Sequence, residues 1–233
     1  AMSTEVVALS HLQQARGHQA VLTAADPHNS DDLNDLSLTD NMMGIVCEDQ
    51  GQLATAEQHF HQAVSGAQRC VTRFPERLDY CTSLVKCLGN LAGCLQDQGL
   101  ADQGAREEQQ ALAVIDDARP RFPHEPDLLK LELALAFNAG TTALQRRQLG
   151  EAESLFRRSV RAGETLVQDF PRVPDYRHRL CTAYSGLGAV LLKAGRLEDA
   201  ENCLTQAVEH AEQVARDHPD MPAYQSNLGG LLH

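Results

Sequence analysis

The chain has no tryptophan, and its six phenylalanines and four tyrosines leave aromatics at 4% of 233 residues. Runs of β-branched residues are short, while Ala, Leu, Gln and Glu abound, which is the usage of helices. No apolar stretch approaches the roughly 20 residues that a membrane span needs, and the opening AMSTEV lacks the basic and apolar regions of a signal peptide. A cytoplasmic location is therefore expected. Basic residues are outnumbered 20 to 32, for a net charge of -12. That balance argues against nucleic-acid binding, which rests on Lys and Arg neutralising phosphates. The seven cysteines are odd in number and contain no CxxC pair, and Cys87 and Cys94, seven apart, have no histidine at ligand spacing. They are read as small apolar packing residues of a reducing compartment, with neither zinc nor disulfides expected.

Catalytic signatures are missing as well. GLGAVL, at 186–191, starts as GxG but has Leu191 where a dinucleotide fingerprint needs its third glycine. No phosphate loop, HExxH or GxSxG occurs, and His59 and His61 straddle Phe60 on different sides of a helix, as exposed residues would. No enzyme, cofactor or metal is expected.

What the chain does have is a period. RFPERLDY at 73 returns as RFPHEPDL at 121, DFPRVPDY at 169 and DHPDMPAY at 217, each 48 residues after the last, and Pro27 extends the proline column backwards. Gly44, Ala92, Gly140 and Gly188 share a column of small residues, followed by Gly51, Gly99, Arg147 and Gly195, then Ala56, Gly104, Ala152 and Ala200, then Phe60, Glu108, Phe156 and Leu204. The first column lies inside an apolar helical pattern and marks a close helix crossing. The second falls where the pattern breaks, beyond a helix C-terminus. A second helix follows, apolar at three- and four-residue steps, until the proline ends it by lacking an amide donor and disfavouring helix in the residue before it. Phe74, Phe122 and Phe170 are expected to anchor this loop in the core, and Asp31, Asp79, Asp127 and Asp175 to cap the next helix start.

Each repeat is thus a helical hairpin, A then B, that must stack on its neighbours to bury its apolar faces. The expected fold is an all-α, right-handed superhelical solenoid of about ten helices in one array. Residues 3–27 form helix B of a partial repeat; 28–75, 76–123, 124–171 and 172–219 are four full repeats; and 220–233 begin a fifth. Both ends fall within a repeat, which points to a segment of a longer protein and to end-to-end homo-oligomers.

The column spacing, carried best by Leu187, Gly188, Gly195, Ala200, Leu204 and Ala207, resembles the tetratricopeptide repeat, with repeat two departing at Gly104 and Glu108. The family's usual unit has 34 residues. The extra length divides into about seven residues on each helix, two turns or about 10 Å, which leaves the antiparallel partners matched. The long repeat is similar to those of kinesin light chains. P-x-Y-R-x-x-L, LG-x-x-LL and G-R-x-x-x-A-E also look like the arrays attached to serine/threonine kinases in bacteria of the planctomycete type.

The resemblance implies a concave face, lined by helix A, that holds a peptide or protein partner. Its groove positions fall on Leu38, Asn41, Ile45, Glu48 and Asp49, then Lys86, Gly89, Gly93, Gln96 and Asp97, then Ala134, Phe137, Thr141, Leu144 and Gln145, then Thr182, Ser185, Ala189, Leu192 and Lys193. The Lys and Asn set that grips a carboxylate tail in co-chaperone members is missing. Asn90 and Asn138, at equivalent positions, are the best candidates, their amides pairing either with an extended peptide's backbone or with neighbouring helices. The set read as partner-binding is Asn41, Lys86, Asn90, Phe137, Asn138, Thr141, Gln145 and Ser185. Eight arginines between 144 and 180 offer a second, basic face for an acidic partner. The expected function is a protein-interaction scaffold. The alternatives are the regulatory arm of a signalling enzyme such as a serine/threonine kinase, or a self-assembly element.

Overall fold

The computed structural model describes residues 4–221, with side chains from residue 9. Among these residues are nine α-helices and no strand: α1 (Thr4–Ala25), α2 (Ser30–Asp49), α3 (Leu53–Arg73), α4 (Leu78–Asp97), α5 (Ala101–Ala118), α6 (Pro126–Gln145), α7 (Leu149–Asp169), α8 (Pro174–Lys193) and α9 (Leu197–Asp217). The expected start of a fifth repeat lies mostly in 222–233, outside the described residues. The A helices α2, α4, α6 and α8 each run 20 residues. The chain divides at Pro123 and His124 into two compact units, in each of which consecutive helices pack as antiparallel hairpins.

The turn from A to B has one chemistry in all four repeats. Gly51, Gly99, Arg147 and Gly195 have φ of 73°, 79°, 61° and 75°, the left-handed conformation. Each is the first residue past the C-cap of its helix, and the amide of the residue after it reaches back five positions: Gln52 to Cys47 O at 2.8 Å, Leu100 to Leu95 O at 2.8 Å, Gln148 to Ala143 O at 2.9 Å and Arg196 to Leu191 O at 3.0 Å. This is a Schellman closure, which satisfies carbonyls that a helix end leaves open. Arg147 pays a steric penalty of roughly 1–2 kcal/mol that glycine avoids, against ~0.4–1 kcal/mol of unfolded-chain freedom that glycine adds. Arg147→Gly is therefore expected to raise stability by about 0.5–1 kcal/mol, read as a higher urea midpoint. An unchanged or lower midpoint would show that the backbone there is not strained.

The proline loops stop, anchor and restart the chain. Phe74 and Phe170 are half-buried and meet Tyr80 and Tyr176 of the following helix at ring centroids of 6.3 and 6.1 Å. The residue two before the proline also ties its loop to the preceding one: Arg73 Nη1 donates to His28 O at 2.8 Å, Arg121 Nη1 to Pro75 O at 2.5 Å, and Asp169 Oδ2 lies 2.8 Å from His124 Nδ1. Tyr80 Oη donates to Asp31 Oδ1 at 2.6 Å across the same repeat junction. That bond holds the Asp31 carboxyl below its usual range, while burial and then Asp31 push the phenol up to about 12.

The aspartates do not cap as expected. Asp31, Asp79, Asp127 and Asp175 sit inside the first turn, where their charge meets the helix dipole; α2 is capped by the Asn29 side chain, which accepts from the Asp31 and Asp32 amides, while Arg77, Glu125 and Val173 at the starts of α4, α6 and α8 make no side-chain cap bond. Helix α5 is short because Pro120 stops it three residues ahead of its counterparts.

Phe60 and Phe156 are the largest side chains buried where A crosses B. A Cβ built on Gly44 would lie 2.5 Å from the Phe60 ring, and one on Gly140 3.1 Å from the Phe156 ring, so glycine and ring form one fitted pair. Repeat two solves the crossing differently. Glu108, 3% exposed, accepts from Gln96 Nε2 at 3.0 Å, and Gly104 admits the Ala92 carbonyl, which a Cβ there would meet at 2.8 Å.

Candidate functional site

The positions read as partner-binding lie on the A helices: Asn41 on α2, Lys86 and Asn90 on α4, Phe137, Asn138, Thr141 and Gln145 on α6, and Ser185 on α8. In the C-terminal unit a groove of about 300 Å³ separates α6 from α8. Leu133, Ala134 and Phe137 supply apolar lining, and Asn138, Arg179 and Thr182 supply polar groups. Helical spacing places these residues: Ala134, Phe137 and Asn138 are three and four apart on α6, and Asp175, Arg179 and Thr182 likewise on α8. The Phe137 ring is held edge-on against Phe156 at 5.4 Å, so the groove wall is anchored in the core. Asn138 is exposed and lines the groove. Arg179 Nε donates to Asp175 Oδ2 at 2.6 Å on the rim.

Of the remaining candidates, Thr141, Ser185, Asn90 and Asn41 have local occupations. Thr141 Oγ1 donates to Phe137 O at 3.0 Å and Ser185 Oγ to Cys181 O at 2.9 Å, the back-bonding by which a helix consumes its own hydroxyls. Gln145 is exposed at the end of α6. In the N-terminal unit Asn90 Nδ2 donates to Asn41 Oδ1 at 3.0 Å, joining α4 to α2, and Asn41 is buried. The helix-to-helix alternative thus describes Asn90, whereas its repeat equivalent Asn138 lines the groove. Lys86 is exposed on α4.

Two features of the A faces were missed by reading the sequence. His178 lines the groove although the family's positions do not include it, and Arg179, one of the eight arginines read as a separate basic face, lines it too. Met42 is 54% exposed on α2 beside Ile45, which is 37% exposed. The signal for Met42 was its four-residue step from Leu38 and three-residue step to Ile45. Glu48, one turn further, has its carboxyl pushed up by burial and by the like charges of Asp97 and Asp49.

The B side is occupied by ion pairs. Asp40, 3% exposed, sits 2.6 Å from Arg16 Nε and 3.2 Å from His59 Nδ1, tying α1, α2 and α3 together. His59 is therefore half-buried and bonded, and only His61 is exposed as expected. Of the arginines proposed as a basic face, Arg157 pairs with Glu153 and Arg158 donates to Glu132 Oε1 at 2.9 Å, while Arg161 and Arg172 are exposed. All seven cysteines are free and all but Cys203 are buried; burial pushes the Cys87 thiol up to about 12 and that of Cys181 to about 11. Among the described residues no group of His, Cys, Asp and Glu is arranged to hold a metal ion, and no helix is long and apolar enough to cross a membrane.

Residues 179–233 match the sequence model of the tetratricopeptide repeat family. No curated protein matches the chain in sequence. Among solved structures, BtubC (BKLC) from P. vanneervenii is similar in fold at 17% identity, with a TM-score of 0.69 over 99% of this chain and 84% of that one. The kinesin-light-chain-type, nearly identical TPR-like repeats of Podosopora anserina are similar at 20% identity, with a TM-score of 0.51 over 83% of each chain. At those identities the likeness is one of fold. The sequence match to tetratricopeptide repeats thus covers residues 179–233, and the described helices share the fold of solved proteins that include TPR-like repeats.

Proposed function

We propose that the chain is a protein-interaction scaffold that holds a peptide or protein segment against the outer faces of its A helices. Tetratricopeptide-type folds typically serve as non-catalytic scaffolds, and the observation that carries the reading here is the α6–α8 groove. It combines an apolar wall, a core-anchored ring at Phe137 and an exposed amide at Asn138. An amide of this kind offers one acceptor and two donors, the complement of an extended backbone, and the ring offers a large rigid contact at low entropy cost.

The test is a selection of displayed random peptides on the full chain, followed by affinity measurement on Asn138→Ala and Phe137→Ser. Each substitution is expected to weaken selected peptides by about tenfold or more, with helicity unchanged. Asn90→Ala is the wrong probe, because it breaks a contact between α2 and α4. An Arg161→Glu/Arg172→Glu variant provides the comparison. Peptides that depend on those arginines and ignore Phe137 and Asn138 would move recognition to the B side and refute the groove.

A further inference from the structure

Helix α2 carries a row that the rest of its unit does not use. Its Leu33, Ser37, Asp40 and Gly44 meet α3 and α1, and its Asn41 meets α4. At 3.6 residues per turn, Asp35, Leu38, Met42, Ile45 and Asp49 then fall in one stripe opposite the B helices. Their spacing is three, four, three and four, the step of a seam by which one helix packs along another. Leu38 is half-buried, Met42 and Ile45 are exposed, and the two aspartates that end the row are exposed too. On neighbouring α4, a Cβ at Gly93, the repeat equivalent of Ile45, would meet nothing within 4 Å, so there is room for an incoming side chain beside the seam.

At the C-terminal end of this seam the charges are one-sided, whereas towards its N-terminal end the exposed Lys86 of α4 shares the column of Leu38. Glu48, Asp49 and Asp97 gather at the C-terminal ends of α2 and α4, and neither helix has a basic residue in its last turn. Helix C-termini are already negative, so carboxylates there oppose the dipole as well as each other. None of the three has an ion-pair partner among the described residues, and burial and mutual repulsion raise the Glu48 carboxyl. Repeats three and four carry Leu144, Gln145, Leu192 and Lys193 in the same columns, so the acidity belongs to this face and not to the repeat pattern. A local arrangement that works against stability, beside exposed apolar residues at seam spacing, is what a docking surface for a cation-bearing partner requires.

We propose that the outer face of α2 and α4 docks an amphipathic helix of a partner protein, with apolar residues three and four apart lying on Leu38, Met42 and Ile45, and Lys or Arg at its ends meeting Asp35 and the Glu48, Asp49 and Asp97 group. A second copy of this chain is the poorer occupant, since a net charge of -12 repels its like. The inference rests on the reading of the outer A-helix faces as the binding surface and assigns the partner's chemistry.

The test titrates the full chain into three fluorescein-labelled peptides of roughly 20 residues. One has leucines at seam spacing and lysines at both ends; the second has the same composition with the leucine order scrambled; the third has glutamates in place of the lysines. The first is expected to bind at least about tenfold tighter than either sibling. Met42→Ser/Ile45→Ser and, separately, Asp49→Lys/Asp97→Lys are expected to weaken it about tenfold while circular dichroism and the urea midpoint stay unchanged. These are surface positions, and the charge-reversal pair is a second route should the serine pair unfold.

Equal binding by the scrambled sibling would reduce the effect to bulk charge and overturn the seam. Equal binding by the glutamate sibling, or retention by both variants, would overturn the assigned chemistry. A dimer seen by sedimentation and lost in Met42→Ser/Ile45→Ser would give the seam to a second copy instead. If the seam fails while peptides that depend on Phe137 and Asn138 persist, the partner chemistry falls and the scaffold reading stands; if both fail, the reading of these faces falls.

Discussion

Phe156→Ala is expected to lower the stability of the C-terminal unit by about 3–5 kcal/mol, the cost of emptying a buried aromatic site that cannot collapse. Collapse is blocked because the ring is walled on two sides by glycines. A Cβ on Gly140 would stand 3.1 Å from it and one on Gly186 2.6 Å, so the backbones of α6 and α8 lie against the ring with no side chain of their own to move in. Phe156 is 2% exposed and packs with Ala152, Val160, Leu187 and Leu191. Its edge contact with Phe137 adds ~0.5–1.5 kcal/mol to the loss. The variant also frees Phe137 from its anchor, so peptides that depend on the α6–α8 groove should bind more weakly in proportion. Urea unfolding followed by circular dichroism reads the first effect and peptide anisotropy the second. A loss no larger than about 1 kcal/mol, the centre of ordinary substitutions, would mean that the crossing is not built on this ring.

The same pairing explains why the fold was largely legible in the sequence. A column of small residues 16 positions ahead of a column of large ones can be read without coordinates, and so can a glycine that must turn left and a proline that must stop a helix. These are local backbone constraints repeated four times, and repetition turns weak signals into a strong one. Repeat two departs at Glu108, and the sequence alone could not show that Gln96 and Gly104 compensate for it, because that solution occurs once. The capping role given to Asp31, Asp79, Asp127 and Asp175 failed for a related reason: charge at a helix start is evident from sequence, but whether the residue stands before the first turn or inside it depends on a shift of two positions.

The binding face was less legible. Asn90 and Asn138 share a column, yet Asn90 donates to Asn41 of the preceding repeat and Asn138 lines a groove: in the repeat before Asn138 the column of Asn41 holds Gly89, which has no side-chain acceptor to offer. Surface chemistry changes from repeat to repeat while packing stays fixed, so a column average carries the fold and loses the site.

Gly44→Ala should destabilise the N-terminal unit by about 1–2 kcal/mol, and the sign follows from setting two magnitudes against each other. Alanine in a helix interior gains ~0.8–1.0 kcal/mol over glycine, whereas overpacking a closed core costs ~1–3 kcal/mol. At Gly44 the new methyl would meet three atoms of the Phe60 ring at 2.5, 2.6 and 2.9 Å, and that ring is 0% exposed, with nowhere to go. Overpacking wins there. At Gly140 the ring stands off at 3.1 Å, and the two terms come close to cancelling. At Gly188 the obstacle is Leu204, whose Cγ and Cδ2 both stand at 2.8 Å; the side chain is half-buried and must turn about χ1 towards solvent, which the closed Phe60 ring cannot do, so Gly188→Ala should cost less than Gly44→Ala. The chain already contains the tolerated case, since Ala92 occupies this column where Glu108 replaces the ring. Phe60→Leu placed on top of Gly44→Ala should therefore recover part of the loss, with a coupling beyond additivity of ~0.5–3 kcal/mol. Urea midpoints of the three alanine variants and the double variant test Gly44 as the costliest of the three; a Gly44→Ala chain as stable as Gly188→Ala would mean that the small column is set by something other than the ring facing it.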